Sequence, residues 1–367
     1  MSLCLLTSVS AKESSFTFKS EGMDLKVEEV ISGLGIPWGM TFISSNKLLV
    51  TERSGSVILI EIDTLKRTQI ENTPIVLNGG QGGMLDVAVP MNFKIGDWIY
   101  FTYVKDIDGE GATVLARAKL NNNKFVTWTD LLITKSRTDT GYHFGSRITF
   151  DNNGHVFFGV GDRGIRDSAQ DLMSHAGSII RLNLDGSIPK DNPFINNKNA
   201  LPEIWSYGHR NPQGLVFDEK YNHLWEIEHG PRGGDEINLI KPDKNYGWPE
   251  ISYGKEYWGP VAVGRGTHQD GMEQPIKTYI PSIAPGSLMI YTGNTLSKWK
   301  GNLFSGALKL RHINRVVLNS SGKAIKEERL LKSLDERVRA LAQSFDGEVY
   351  FSTDSGKIYR ILPILQN

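Results

Sequence analysis

Cysteine is almost missing from this chain, with one residue, Cys4, in 367. That excludes an internal disulfide framework and any metal site built on thiolates. Net charge is missing as well: lysine plus arginine number 41 and aspartate plus glutamate 41. No global field draws the protein toward nucleic acid or an anionic membrane surface, and neither is expected as a partner. No apolar run approaches ~18 residues, so no membrane span is expected. Long stretches of helical periodicity are nearly absent, which argues against the doubly wound α/β folds that need helices between their strands.

Turns and short strands are what the chain does contain. Thirty-eight glycines and fifteen prolines punctuate alternating runs. A strand, a turn with Asp, Asn or Gly, a second strand, a Gly turn and a third strand recur six times. The last copy, "RALAQSFDGEVYFSTDSGKIYRILP", is the clearest. The others begin at "WGMTFISSNKLLVTERSGSVILIEID", "GMLDVAVP", "SRITFDNNGHVFFGVGDRG", "QGLVFDEKYNHLWEIEHG" and "GSLMIYTGNTLSKWKGNLFSGALKLRHINRVVLN". Antiparallel hairpins repeated at this period predict an all-β, six-bladed β-propeller of four-stranded blades, in one domain over residues 23–367. Extra residues are expected in loops after Leu184 and between Pro242 and Ser287. The opening "MSLCLLTSVSAKESS" reads as the tail of a secretory signal cleaved near Ala11. Residues 1–22 are therefore set apart, and a periplasmic or secreted location is expected.

Residues just ahead of each innermost strand crowd one mouth of a propeller channel. Those positions hold Gln81 in "NGGQGGM", His143 in "GYHFGSR", Arg210 and Asn211 in "GHRNPQG", and Arg337 and Arg339 in "DERVRAL"; Lys309 in "GALKLR" lies deeper in its blade. One base among several cations suits a ligand with several carboxylates and a step that needs proton removal. A second cluster is "EHGPRGGDEINLIKPDKNYGWPEISYG". Its Gly/Pro turn frees carbonyl oxygens beside Asp235 and Glu236, a hard-oxygen set that suits calcium; a rigid turn with a solvated acidic pair is the alternative.

These segments together resemble the soluble quinoprotein glucose/sorbosone dehydrogenases, and most of all their aldose sugar dehydrogenase branch. "GHRNPQGL" and "HGPRGGDEINLI…NYGWP" carry the resemblance, supported by "HFGSR…GVGDRG". The resemblance implies pyrroloquinoline quinone (PQQ) and Ca²⁺ as cofactors and oxidation of aldose sugars at the anomeric carbon to lactones, by hydride transfer to PQQ. It implies His143 as general base, with Arg210 and Asn211 beside the reacting quinone carbonyl and Gln81 flanking it. Lys309, Arg337 and Arg339 are implied to hold the cofactor's carboxylates, and Tyr257 to border it. Gly230 and Pro231 are implied to give main-chain oxygens to the cofactor's calcium. Glu236, Tyr246 through its carbonyl, Asp235 and Ser252 are implied to form a second calcium site. One departure stands out: Tyr142 precedes the histidine, where glucose-oxidising relatives carry an acid. The carboxylate that orients the imidazole is expected at Asp162 in "GVGDRG". A bound quinone stores two electrons, so an electron acceptor is required, but nothing in the sequence names it.

Two rival readings remain. A calcium-dependent propeller hydrolase of the lactonase kind brings several carboxylates onto one ion, whereas the mouth positions here are Gln, His, Arg, Asn and Arg. A non-catalytic propeller that binds a protein partner has little need of a base together with a cationic set.

Overall fold

A computed structural model describes residues 15–364. Six antiparallel sheets follow one another along the chain, as the repeats predict. The innermost strands are Pro37–Ser44, Met84–Ala88, Ile148–Phe150, Pro212–Asp218, Met289–Ile290 and Val338–Gln343, one per blade. Each is hydrogen-bonded to a second strand running the opposite way. Helix among the described residues is confined to three 3₁₀ turns, the longest Arg166–Gln170. The irregular stretches follow Leu184 and Pro242, where the surplus residues were expected.

The closing blade has five strands rather than four, in the spatial order Ser15–Ser20, Met23–Ile31, Lys357–Pro363, Val349–Thr353 and Val338–Gln343. The chain's start thus pairs with its end: Leu25 opposes Pro363 and Val27 opposes Ile361. Strand Ser15–Ser20 lies within the segment that the sequence reading set apart as residues 1–22. The rest of that segment, including the expected cleavage point near Ala11, lies outside the described residues.

Apolar clusters fill the spaces between neighbouring blades, as with Leu49, Val57 and Leu59 of the first against Val87, Phe101 and Val114 of the second. Each blade is therefore covered on both faces. Buried hydroxyls stitch the ring nearer the channel. Thr51 donates to the carbonyl of Leu85, Thr102 to that of Ser146 at 2.8 Å, and Ser352 to that of Pro37 at 2.8 Å. Arg147 crosses the channel itself. It pairs with Asp86 at 2.8 Å, donates to the carbonyls of Gly286 (2.6 Å) and Arg339 (3.0 Å), and lies over the Trp38 ring at 4.0 Å. Of these, Trp38 and Arg339 also line a cavity at one mouth.

Candidate active site

His143 stands at that mouth with its backbone at φ +52°, a conformation that non-glycine residues adopt only when their surroundings fix it. The fixing contacts are visible. Its N–H donates to Gln81 Oε1 at 2.9 Å. Its carbonyl presses against Gly161, where a Cβ would lie 2.3 Å from the oxygen, so only glycine fits. The imidazole Nδ1 lies 2.6 Å from Asp162 Oδ1. Asp162 is held in turn by the Trp248 indole N–H on Oδ2 at 2.7 Å and by the Gly164 N–H on Oδ1 at 2.8 Å. Burial pushes the Asp162 carboxyl up, but the His143 hydrogen bond and the nearby positive groups outweigh it and hold it below the usual range. An ionised carboxylate on Nδ1 fixes that nitrogen as the proton bearer and leaves Nε2 as the basic atom. The His143 side chain is 15% exposed, enough for Nε2 to meet a ligand.

Arg210 and Asn211 follow directly behind. The Arg210 carbonyl accepts from the Asp162 N–H at 2.8 Å, and the indole of Trp248 lies 5.2 Å under its guanidinium. Arg210 Nη1 donates to the carbonyls of His229 (3.0 Å) and Gly230 (2.8 Å). Asn211 Oδ1 accepts from Gly145 N–H and from Gln213 Nε2. Two donors in this pair, Arg210 Nε and Asn211 Nδ2, are buried without a hydrogen-bond partner. Buried donors left open in this way point to an acceptor that arrives with a ligand.

The adjoining cavity measures about 220 Å³ and is lined by Gln81, Arg337 and Arg339, as the sequence places them, together with Arg53, His229 and Asp354. Asp354 accepts from Arg337 Nε (2.8 Å) and from both Nε and Nη2 of Arg339 (2.9 and 3.0 Å). Burial raises the Asp354 carboxyl, but the two arginines more than reverse that and keep it ionised. His229 is neutral: burial, with Arg210 beside it, pushes its pKa down to about 3, and its ring sits 2.7 Å from the Pro285 carbonyl. Three guanidinium groups therefore face one carboxylate, and the cavity is net cationic.

The structure does not bring every expected residue to this wall. Lys309 is exposed beside the lining residue Leu308. Tyr257 is 64% exposed in a turn. Its neighbour Glu256 binds both Nη atoms of Arg166 (2.7 and 2.8 Å), and Arg166 lies 5.5 Å from the Trp248 ring, so Tyr257 borders the site at one remove. Three ionisable lining residues escaped sequence reasoning: Arg53, His229 and Asp354. Each comes directly after the second strand of its blade, and that end reaches the same mouth as the start of the first strand.

The expected metal residues divide in two. Asp235 turns inward, with Oδ1 accepting from Gly230 N–H at 3.0 Å and Oδ2 from Ala284 N–H at 2.7 Å. It holds the Gly/Pro turn in shape, and burial raises its pKa to about 6. The carbonyl of Gly230 receives Arg210, and that of Pro231 receives Ser282 Oγ at 3.2 Å; each oxygen keeps a second lone pair. Glu236 opposes Glu228 across paired strands, so two carboxylates share a face. Burial and the Glu228 charge push its carboxyl well up, a site short of positive charge. Tyr246 stacks on His209 at 4.6 Å, and Ser252 is buried with its hydroxyl on Gly254 N–H at 3.1 Å.

Residues 34–360 match the glucose/sorbosone dehydrogenase family. The chain belongs to that family. It is 35% identical to the aldose sugar dehydrogenase YliI of Escherichia coli over 348 residues, covering 92% of this chain and 93% of that protein. It is similar to the crystal structure of the soluble aldose sugar dehydrogenase of Escherichia coli in the apo-form, with a TM-score of 0.89 at 33% identity, over 93% of this chain and all of the other. The PQQ-bound form of the aldose sugar dehydrogenase of Streptomyces coelicolor shares the fold, with a TM-score of 0.74 at 23% identity over 96% of this chain and 99% of that one.

Proposed function

We propose that the protein oxidises aldose sugars at the anomeric carbon to lactones, with PQQ in the cationic cavity, calcium alongside it, and His143 as general base. The observation that carries the reading is the His143–Asp162 contact of 2.6 Å at the rim of a cavity lined by Arg337 and Arg339. When bound, the quinone supplies the two-electron acceptor for the hydride that leaves C1. His143 Nε2 takes the proton of the anomeric hydroxyl, and Asp162 steadies the imidazolium that results. Arg210 Nε and Asn211 Nδ2 are the open donors placed to meet negative oxygen. Arg337, Arg339 and Arg53 supply the charge to hold carboxylates, with Lys309 reaching in from outside and Gln81 setting the His143 backbone. Main-chain oxygens of Gly230 and Pro231 are the ligands for a calcium ion beside the cofactor. Glu236, with the Tyr246 carbonyl and Ser252, is the set for a second; Asp235 is spent on the turn. The names of the relatives, both aldose sugar dehydrogenases, agree with this substrate class. The weak leader-like start favours a periplasmic or secreted site of action.

Anaerobic single-turnover reduction of bound quinone by an aldose tests the reading, because it excludes the acceptor step. His143→Ala is expected to bind PQQ but to lose roughly 10²–10⁴-fold in that step, the usual scale for a positioned base. Asp162→Asn is expected to give a smaller defect, and the two losses are expected not to add. Wild-type reduction by His143→Ala moves the base elsewhere.

A further inference from the structure

Behind Arg210 and Asn211, on the side away from the cationic cavity, blade 4 buries an acidic pit. Glu226 and Glu228 lie two apart on the strand His223–Glu228 and so share a face. Asn238 is in register with Glu226. His209 enters from the segment ahead of the blade. His209, Glu226 and Asn238 are fully buried, and Glu228 is 4% exposed. His209 Nδ1 and one carboxylate oxygen from each glutamate lie within 4.8 Å of one another.

The hydrogen bonding of this pit does not close. Asn238 Nδ2 is shared between Glu226 Oε2 (3.1 Å) and Glu228 Oε1 (3.3 Å). Among the described residues, Glu226 Oε1, Asn238 Oδ1 and His209 Nδ1 have no hydrogen-bond partner. The last lies 3.5 Å from Glu228 Oε1. The other His209 nitrogen, Nε2, is engaged by Ser206 Oγ at 2.9 Å. Oxygens of two carboxylates and an amide thus converge with an imidazole nitrogen in a buried space where, among the described residues, no lysine or arginine side chain bonds them. Leaving such groups open costs far more than pairing them.

We propose that this pit is a binding site for one Zn²⁺ ion, held by His209 Nδ1, Glu226, Glu228 and the side-chain oxygen of Asn238. An imidazole nitrogen is a poor ligand for calcium and a good one for a small transition ion. Four protein donors match a closed structural zinc site, and the Ser206 hydroxyl on His209 Nε2 holds the ring with Nδ1 toward the two glutamates. The ion sets the active site from behind. Glu228 Oε2 accepts the backbone N–H of Arg210 (2.6 Å) and of Asn211 (3.2 Å). An ion on the other side of that carboxylate therefore fixes the segment that carries both donors. The donor set is distinct from the main-chain oxygens of Gly230 and Pro231 and from the pairing of Glu236 with the Tyr246 carbonyl.

The test needs neither quinone nor sugar, so its outcome stands apart from the proposed oxidation. The full chain is stripped with chelator, loaded with Zn²⁺ in the absence of calcium, and crystallised for anomalous diffraction on both sides of the zinc edge. The expected result is a peak about 2.0–2.1 Å from His209 Nδ1, with one zinc per chain by elemental analysis. Glu226→Gln keeps the shape and is expected to weaken zinc binding tenfold or more, read by titration against a competing dye. Should that variant fail to fold, the wild-type diffraction decides alone. No zinc peak at His209 under full loading, zinc only at Glu236, or unchanged affinity in a folded Glu226→Gln variant overturns the proposal.

Discussion

The two pockets on either side of the Arg210–Asn211 segment are opposites. On one side Arg53, Arg337 and Arg339 face the lone carboxylate of Asp354. On the other Glu226 and Glu228 face the single imidazole of His209, with Glu236 opposite Glu228 on the paired strand. Both carry unbalanced charge, which a protein interior tolerates only when a partner supplies the missing sign. They differ in access. The cationic cavity opens at the channel mouth, where Arg337 is exposed. Solvent and ions can relieve it there, so it suits a ligand that is loaded from outside. The acidic pit has no such relief, and proton uptake is the only recourse of the bare protein. Burial, with Glu228 close by, accordingly drives Glu226 well above the usual carboxylate range. An open unbalanced pocket reads as a cofactor site, and a closed one as the seat of an integral ion.

The sharpest way to break this contrast is to remove divalent cations. Stripping them is expected to lower the melting temperature and to abolish PQQ-dependent oxidation, with both restored on readdition. Each ion that binds only the folded state at a hundredfold excess over Kd contributes about 2.7 kcal/mol. A melting curve unchanged by chelator, at full activity, removes the cations from the account. Removing the quinone is expected to move the curve less, because its cavity is already solvated.

Next in size is the loss of one charge from the open cavity. Arg339→Ala is expected to weaken PQQ binding by roughly ten- to hundredfold, since a charge-assisted contact is worth about 1.5–3 kcal/mol. Activity is expected to return at high PQQ. Lys309→Ala, whose side chain is exposed, is expected to cost less, about the 0–1 kcal/mol of a solvent-screened ion pair. A larger loss from Lys309→Ala than from Arg339→Ala, read by quinone titration, would show that the carboxylates sit nearer Lys309 than the cavity wall.

The open pocket was largely legible in the sequence and the closed one was not. Residues ahead of the inner strands converge on one mouth by propeller geometry alone, which finds Gln81, His143, Arg210 and Arg337, with Arg339 just inside its strand. The same geometry reaches Arg53 and Asp354, which sit at matching places in "TERSG" and "STDSG" just past the second strand; the repeat carried that signal. Nothing comparable marks Glu226. In "HLWEIE" it alternates with apolar residues, as on a strand with one wet face, and only the packing of a neighbouring blade makes that face dry. Asp235 shows a further limit. Its adjacency to Glu236 suggests a ligand pair, but successive strand residues point to opposite faces, and Asp235 spends its oxygens on backbone N–H groups. The six blades were the most legible feature, because nearly every turn carries its own Gly, Asn or Asp.

The smallest expected effect comes from a balanced site between the outer strands of the fourth and fifth blades. Glu327 receives Lys277 Nζ at 2.7 Å, Arg329 Nε at 2.9 Å and Asn314 Nδ2 at 2.8 Å. Burial raises its carboxyl, but these partners outweigh it and bring the pKa down to about 2. A folded-state value below the unfolded one adds stability that is complete above the ordinary glutamate range near 4.5 and is lost as pH falls through about 2. Glu327→Gln is therefore expected to be less stable than wild type at neutral pH by about 1–2 kcal/mol, after allowance for a side chain that is a quarter exposed. The gap is expected to close as the pH drops from about 4.5 toward 2, measured by denaturant unfolding at each pH. Because this carboxylate already has its counter-charges, the gap is expected to be the same with divalent cations present or stripped. A gap that widens on stripping would mean that cation loss weakens the whole ring of blades. The opposition between open and closed pockets would then not be local to blade 4.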